Sequence, residues 1–132
     1  MNETKKILVV DDDVDLLEQT DLILRSDGYD VVTAVGQEEA EEKLLSVHPD
    51  LCVVDLMMEN MDSGFVLSHT IKRLYPEAPV IMLTAVRSST GVDFAARSRQ
   101  ADAWMPADVF LDKPVRPEQL KAEVKRLLAS RG

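Results

Sequence analysis

The sequence predicts an α/β protein in which five parallel strands form one doubly wound sheet with helices on both faces. Two patterns in the 132 residues support this fold class. Short apolar runs are typical of strands buried on both sides, and segments with apolar residues at helical spacing alternate with them. This alternation, repeated five times, favours a (βα)5 arrangement. The apolar runs lie at residues 7–10, 29–34, 51–58, 80–84 and 109–111.

Five helices are expected from their end signals and apolar faces. Asp13 is the predicted N-cap of the first helix, and Gly28 follows its end. The second helix is expected over residues 37–47, the fourth around residues 92–100, and Pro117 suits the first turn of the last one. The residues whose spacing marks these helices are Leu16, Leu17, Thr20, Ile23 and Leu24, then Ala40, Leu44 and Val47, then Leu67, Ile71 and Leu74, and finally Leu120, Val124, Leu127 and Leu128.

Right-handed crossover connections leave few possible strand orders. The flavodoxin-like order 2-1-3-4-5 places the first and third strands side by side, where the connections change direction. Sheets of this kind bind their ligands at that point, outside the carboxyl ends of the strands. We therefore expect a single domain over residues 1–132, without an effector domain, and a ligand site at that edge of the sheet.

The composition narrows the classes of protein. A net charge of −9 argues against direct binding of nucleic acid, which needs a basic surface. The single cysteine, Cys52, excludes an intramolecular disulfide, fits a reducing compartment and is expected in the core. The N-terminal residues lead into only four apolar residues, too few for a signal peptide or a membrane span. A cytoplasmic protein that does not bind membranes is expected.

Acidic residues lie at the ends of two strands that should be neighbours. Asp11 and Asp12 follow the first strand, and Asp55 interrupts the third apolar run, where a buried carboxylate needs a partner. Three close carboxylates repel one another, and Mg²⁺, which prefers oxygen ligands, would relieve that repulsion. Thr84 and Lys113, at the ends of the fourth and fifth strands, add a hydroxyl and an ammonium group suited to phosphoryl oxygens. This combination predicts transfer of a phosphoryl group onto an aspartate.

Four motifs carry a resemblance to a known family. They are ILVVDDD at residues 7–13, Asp55 followed by Met58 and by MD at residues 61–62, LTA at residues 83–85, and KP at residues 113–114. In these motifs the chain resembles, over essentially its whole length, the receiver domain of two-component response regulators. The resemblance implies a role in phosphorelay signal transduction with Mg²⁺ as the cofactor.

The resemblance also implies a role for each acidic residue. Asp55 would be the phosphoacceptor, taking the phosphoryl group from a phosphohistidine on a sensor histidine kinase or a phosphotransfer protein. Asp12 would bind Mg²⁺ directly and Asp11 mostly through water, while Asp55 and the backbone carbonyl of Met57 would be further ligands. The protein would assist its own phosphorylation and dephosphorylation as a switch, without being a turnover enzyme.

Residues of the fourth and fifth strands would operate this switch. Thr84 would hydrogen-bond the phosphoryl group, and Lys113 would pair with a phosphoryl oxygen, its peptide bond to Pro114 being cis as in the family. Phe110 would follow Thr84 inward and reshape the surface of the fourth helix, fifth strand and fifth helix. That surface would contact a downstream effector protein or domain, or a second copy in a homodimer.

The chain departs from the family pattern at several places. Glu59 stands where the family usually has proline, and one additional residue precedes Gly64, so the geometry of the loop over residues 59–64 is left open. Phe110 replaces the common tyrosine. The segment between the fourth and fifth strands is longer than usual, and residues 87–107 are not assigned beyond the short helix within them.

Two other functions remain as alternatives. A receiver-like binding module that signals without phosphorylation is compatible with the altered loop after Asp55, and failure of Asp55 to react with acetyl phosphate would favour it. A small phosphatase of the haloacid dehalogenase type would use Asp11 and Asp13, but its pattern needs Thr or Val where this chain has Asp15. Turnover of a phosphomonoester would favour that second alternative.

Overall fold

Five parallel strands form one sheet in the order β2-β1-β3-β4-β5, which confirms the predicted fold class. The structure is a computed structural model that describes residues 4–56, 58, 63–84 and 107–130. Each connection between parallel neighbours must cross over the sheet, and the described connections are the helices that cover its faces. The strands are β1 (Lys6–Val10), β2 (Asp30–Ala34), β3 (Leu51–Asp55), β4 (Val80–Thr84) and β5 (Val109–Asp112).

Two described helices pack on each face of the sheet. Leu17 and Leu24 of the first helix share one apolar cluster with Leu120 and Val124 of the last. The second and third helices contribute to a separate cluster on the opposite face. The described helices are α1 (Val14–Ser26), α2 (Gln37–Leu44), α3 (Ser63–Leu74) and α4 (Pro117–Ser130). Here α4 is the helix that the sequence analysis counted as the fifth and last.

Alternation along β3 explains why its apolar run is nearly continuous. Successive side chains of a strand point to opposite faces. Leu51 and Val53 accordingly belong to the cluster with α1 and α4, whereas Cys52 and Val54 belong to the cluster with α2 and α3. All four side chains are fully buried, and Cys52 lies in the core as predicted. Asp55 is the last residue of the strand, so the carboxylate stands where the buried run meets the carboxyl edge of the sheet.

The ends of α1 follow the signals in its sequence. The Asp13 carboxylate accepts hydrogen bonds from the backbone N–H groups of Asp15 and Leu16, and this confirms Asp13 as the N-cap. Gly28 follows the C-cap with φ +91°, a left-handed conformation that glycine adopts without strain. The cap at Asp13 places the start of α1 at Val14, directly after the acidic residues Asp11, Asp12 and Asp13.

Two expectations about the helices are wrong in detail. The second helix ends at Leu44 and not at residue 47, because the N–H groups of Leu45 and Ser46 turn to carbonyls three residues back. Val47 therefore lies beyond the helix. Leu74, whose spacing helped to mark the third helix, is the last residue of α3 but is 43% exposed and not part of its buried face. The next residue, Tyr75, packs against the apolar cluster, and its hydroxyl donates to the Leu44 carbonyl at the end of α2 at 2.6 Å.

Several expectations concern residues outside those the structure describes. They are the helix around residues 92–100 and the loop from Glu59 to residue 62.

No helix in the described part of the chain combines the length and apolar character needed to span a membrane. The first, third and last helices otherwise carry the predicted apolar faces, with Leu67, Ile71, Leu120 and Val124 almost completely buried.

Candidate functional site

The carboxyl ends of four strands bring the predicted site residues to one edge of the sheet. Asp11 directly follows β1, Asp55 ends β3, Thr84 ends β4 and Lys113 directly follows β5. The strands are in register here, since Val10 lies beside Val54, Asp55 beside Leu83, and Thr84 beside Asp112. The parallel sheet thus assembles residues that are far apart in the sequence.

Three carboxylates of this edge form a compact cluster. Asp11, Asp12 and Asp55 each offer one oxygen, and these oxygens all lie within 4.8 Å of one another. Asp11 is 3% exposed and Asp55 5% exposed, whereas Asp12 is exposed to solvent. The cluster therefore has two buried acids and one that faces water.

Lys113 lies between the two buried carboxylates. Its Nζ is 3.2 Å from Oδ2 of Asp11 and 3.2 Å from Oδ1 of Asp55. The other carboxylate oxygen of Asp11 accepts a hydrogen bond of 2.9 Å from the backbone N–H of Asp13. The ion pair with Asp11 was not predicted, because the sequence gives the position of Lys113 in the chain but not the direction of its side chain.

These contacts set the protonation behaviour of the site. The pKa of Asp55 is raised to about 6, first by burial and then by the charge of Asp11, although Lys113 lowers it in part. Burial would lower the pKa of Lys113, but the two neighbouring carboxylates outweigh burial and hold that pKa above its usual value. Lys113 thus remains a cation, and ionised Asp55 is held in an unfavourable environment.

Asp13 belongs to the helix and not to the cluster. Its carboxylate oxygen accepts hydrogen bonds from the N–H groups of Asp15 at 3.1 Å and Leu16 at 3.3 Å. Its own N–H donates to Asp11. Of the three consecutive acids, Asp11 and Asp12 are therefore the two that stand with Asp55.

Thr84 and Phe110 lie on the same side of the sheet. Thr84 is almost completely buried. Phe110 of β5 lies beside Met82 of β4, and Met82 is two residues before Thr84 on the same strand. Phe110 packs against the apolar cluster that contains Met82. Since side chains two residues apart on a strand share a face, Thr84 and Phe110 project in the same direction. The Lys113–Pro114 peptide bond beside them is cis.

Two residues that the sequence analysis placed in the region after Asp55 are Met57 and Gly64, and only Gly64 is among the described residues. Met57, expected to offer a carbonyl to the metal, lies outside the described residues. Gly64 is described, and its backbone N–H donates to the Leu56 carbonyl at 2.8 Å. In the sequence Gly64 was only part of a loop pattern. Nothing except its residue type, glycine, indicated that it contacts the backbone at Leu56.

The donor set of the cluster fits a hard divalent cation. Carboxylate oxygens are the ligands that Mg²⁺ prefers, and it typically takes one or two of them and completes its octahedron with water and phosphate oxygens. The oxygens of Asp11, Asp12 and Asp55 are close enough to share one ion. Asp12, being exposed, leaves room on the cluster for water ligands.

The doubly wound sheet with its candidate site at the switch point defines the class of the protein, and comparison with known proteins gives the family. A family model described as the response regulator receiver domain matches residues 7–125. The chain therefore belongs to the receiver-domain family of response regulators, the signalling domains of two-component systems.

Similar proteins agree with this assignment. A probable transcriptional regulator, ycf27, of Cyanophora paradoxa is 37% identical over 124 residues, which are 94% of this chain and 48% of that protein. The alkaline phosphatase synthesis transcriptional regulatory protein PhoP of Bacillus subtilis is 33% identical over 94% of this chain and 48% of its own length. The chain thus spans about half the length of these relatives.

Solved structures match over the whole fold. A CheY-like response regulator receiver domain protein from Methanospirillum hungatei superposes with a TM-score of 0.82 at 30% identity, covering 98% of this chain and 97% of that one. The match supports the strand order and the helix arrangement described above.

Proposed function

We propose that the protein is a Mg²⁺-dependent phosphoacceptor switch in which Asp55 receives a phosphoryl group from a histidine kinase or a phosphotransfer protein. The observation that supports this most directly is the pairing of buried Asp55 with Lys113 at 3.2 Å, inside a cluster of three carboxylates. A structural role alone does not require two acids to be buried together, because each ionised carboxylate loses favourable hydration there.

The proposed step is transfer of a phosphoryl group between two side chains. An oxygen of the Asp55 carboxylate would attack the phosphorus of phosphohistidine, forming a P–O bond while the P–N bond breaks. The imidazole nitrogen that leaves would take a proton. Lys113, already 3.2 Å from Asp55, would pair with a phosphoryl oxygen, and the Thr84 hydroxyl would donate to another.

A bound Mg²⁺ would neutralise part of the negative charge that gathers on the phosphoryl oxygens. Asp11, Asp12, Asp55 and the backbone carbonyl of Met57 are the ligands we propose. Lys113 would hold Asp55 in place for the reaction and would itself be held by Asp11, since its Nζ lies 3.2 Å from an oxygen of each carboxylate.

Switching would involve Thr84 and Phe110. Because these two side chains share one face of the sheet, a shift of Thr84 toward the phosphoryl group would vacate space that Phe110 could enter. The change would reach the surface beside β5 and bias a two-state equilibrium. We propose that an effector protein or domain reads this surface, which is also where homodimer contacts were expected.

A small pocket lies beside the cluster, on the side of α1. It has a volume of about 60 Å³, and Asp11 and Lys113 are among the residues that line it. Its apolar walls come from Leu16 and Ile23 of α1 and from Val115, just before α4. We propose that the phosphodonor approaches the acids that receive the group from this side.

The experiment is phosphorylation with a small donor. Purified protein is incubated with acetyl phosphate and Mg²⁺, and the mass of the intact chain is measured. The wild type should gain one hydroxylamine-labile phosphoryl group, and Asp55→Asn should gain none, because the amide cannot form an acyl phosphate. The matched control is Asp13→Asn, which keeps its helix-capping ability and should label like the wild type.

This experiment, together with an assay on phosphomonoesters, can contradict the proposal. A folded wild-type protein that stays unmodified would favour the alternative of a binding module that signals without phosphorylation. Labelling that persists in Asp55→Asn would place the phosphoacceptor elsewhere. Continuous release of phosphate from phosphomonoesters would mark an enzyme and contradict a switch that only turns over its own phosphoryl group.

A further inference from the structure

We propose that Gly64 is a positioning residue for the phosphoacceptor site, because it is the point where the start of α3 rests on the backbone that carries Asp55. This inference rests on the proposed function and adds a residue to it. Gly64 does not touch the reacting atoms. Its lack of a side chain would set where the end of β3 lies.

The contact at Gly64 is closer than any side chain permits. A Cβ atom added there would lie 2.6 Å from the carbonyl oxygen of Asp55 and 2.6 Å from the Cα of Leu56. It would also lie 2.8 Å from the Leu56 carbonyl oxygen, the atom that accepts the Gly64 N–H. Carbon atoms in contact are normally about 3.5 Å apart, so alanine would require a separation larger by about 1 Å.

The neighbouring structure cannot absorb this change locally. All three atoms that a Cβ would meet belong to the backbone, so no side chain can rotate away. The Leu56 N–H donates to the Leu83 carbonyl at 2.8 Å, which holds the end of β3 in the sheet. On the other side, Leu67 and Ile71 anchor α3 in the core. A Cβ must therefore displace either the helix start or the strand end.

A displacement of the strand end would reach the site directly. Asp55 supplies the proposed nucleophile, and Leu56 is the residue between it and Met57, whose carbonyl is a proposed ligand. Metal sites tolerate errors of only about 0.2 Å in ligand distances, far less than the displacement required here. Substitution of Gly64 should therefore weaken Mg²⁺ binding and phosphorylation, beyond any effect on folding.

Gly28 provides a matched control because its need for glycine is of the opposite kind. Gly28 has φ +91°, which strains any other residue, but a Cβ there would meet nothing within 4 Å. It follows α1 at the amino edge of the sheet, and its N–H donates to the Arg25 carbonyl at 2.9 Å. Gly28→Ala should destabilise the fold and leave the site unchanged.

The test compares Gly64→Ala with Gly28→Ala and the wild type. Mg²⁺ affinity is measured by isothermal titration calorimetry without a phosphodonor, and the rate of labelling by acetyl phosphate is measured separately at saturating Mg²⁺. Gly64→Ala should raise the Mg²⁺ dissociation constant about ten-fold or more, as loss of supporting contacts does at other metal sites. Gly28→Ala should change it less than about two-fold, since its strain is remote from the ligands.

The outcomes separate the inference from the proposed function. If the wild type neither binds Mg²⁺ nor labels, the proposed function fails. If the wild type does both and Gly64→Ala binds Mg²⁺ and labels as well as Gly28→Ala does, the function stands and the positioning role is wrong.

A second measurement needs no variant and decides the case in which Gly64→Ala does not fold. Amide hydrogen exchange is followed in the wild type at Gly64 and Gly28 while Mg²⁺ is added. Protection of the Gly64 N–H should rise at the Mg²⁺ concentrations that saturate the site, with no matching change at Gly28. Equal responses at the two amides would overturn the inference.

Discussion

At the level of single residues, Lys113 determines the electrostatics of the site because two buried carboxylates share its ammonium group. Its Nζ lies 3.2 Å from both Asp11 and Asp55. One positive charge offsets only part of the two negative charges. Burial raises the pKa of Asp55 and the charge of Asp11 raises it further, so that it stays at about 6 although Lys113 lowers it.

This raised pKa predicts a pH-dependent cost of keeping Asp55 ionised. In the unfolded chain the group titrates near pH 4, and in the folded protein near pH 6, so the folded state binds the extra proton between these values. Stability due to this group is therefore lost as the pH rises through about 6. In EDTA near pH 7, Asp55→Asn should be more stable than the wild type by on the order of 1–3 kcal/mol.

Denaturant unfolding of both proteins between about pH 4 and pH 7.5 measures this difference. The advantage of Asp55→Asn should shrink toward zero as the pH falls to about 4. Asp112→Asn, which changes an exposed carboxylate at the end of β5, is the control and should show a small, constant difference. A constant gap for Asp55→Asn as well would mean that its pKa is not raised.

Residue types at the strand ends were predictable, whereas their contacts were not. Buried runs that end in Asp11, Asp55 and Thr84 indicate a common edge, because parallel strands align their carboxyl ends. The role of Asp13 as a helix N-cap was also predictable, since an acidic residue directly before an amphipathic segment commonly caps a helix. The shared ion pair of Lys113 depends on side-chain direction, which no spacing in the sequence specifies.

At the level of elements, α3 contains a buried hydroxyl that no described residue satisfies. Ser68 is completely buried, and its Oγ has no hydrogen-bond partner among the described residues. An unsatisfied buried polar group costs about 1–3 kcal/mol, and alanine is also the better helix former. Ser68→Ala should therefore raise the free energy of unfolding by about 1 kcal/mol, measured by urea denaturation.

Ser26→Ala is the matched control in α1. The Ser26 hydroxyl is exposed and donates to the Ile23 carbonyl at 2.6 Å, so its removal should change stability by less than about 0.5 kcal/mol. A clear loss of stability in Ser68→Ala would show that its hydroxyl is satisfied in solution.

The ends of the helices show how accurately the spacing of apolar residues predicts helix bounds. The apolar spacing correctly placed α1, α3 and α4, because three or more turns bury one face of each. It extended α2 to residue 47, since Val47 continues the spacing although the backbone already tightens at Leu45. Such a change of hydrogen-bond pattern has no signature in hydrophobicity.

For the whole molecule, the acidic cluster links metal binding to folding. An ion that binds only the folded state stabilises it, by about 2.7 kcal/mol when its concentration is 100 times the dissociation constant. Thermal or urea unfolding with and without Mg²⁺ should show this gain in the wild type. In Asp12→Asn, a site weakened about ten-fold should gain no more than about 1.4 kcal/mol at the same concentration.

Asp15→Asn serves as the control for Asp12→Asn. Asp15 is an exposed acid of the first turn of α1, close in sequence to the cluster but not part of it. It should keep the full Mg²⁺-dependent gain. Loss of the gain in both variants would point to general screening of the net charge of −9 rather than to a specific ion site.

The uneven exposure of the cluster bears on how fast it can be loaded. Asp11 and Asp55 are buried, but Asp12 faces solvent, so an ion can reach the cluster from the side of Asp12 while the helices stay packed. Entry and departure of the ion should then be governed by exchange of its water ligands and not by unfolding of any element. Occupancy would follow the surrounding Mg²⁺ concentration without delay, which would leave arrival of the phosphodonor as the event that sets the timing of the signal.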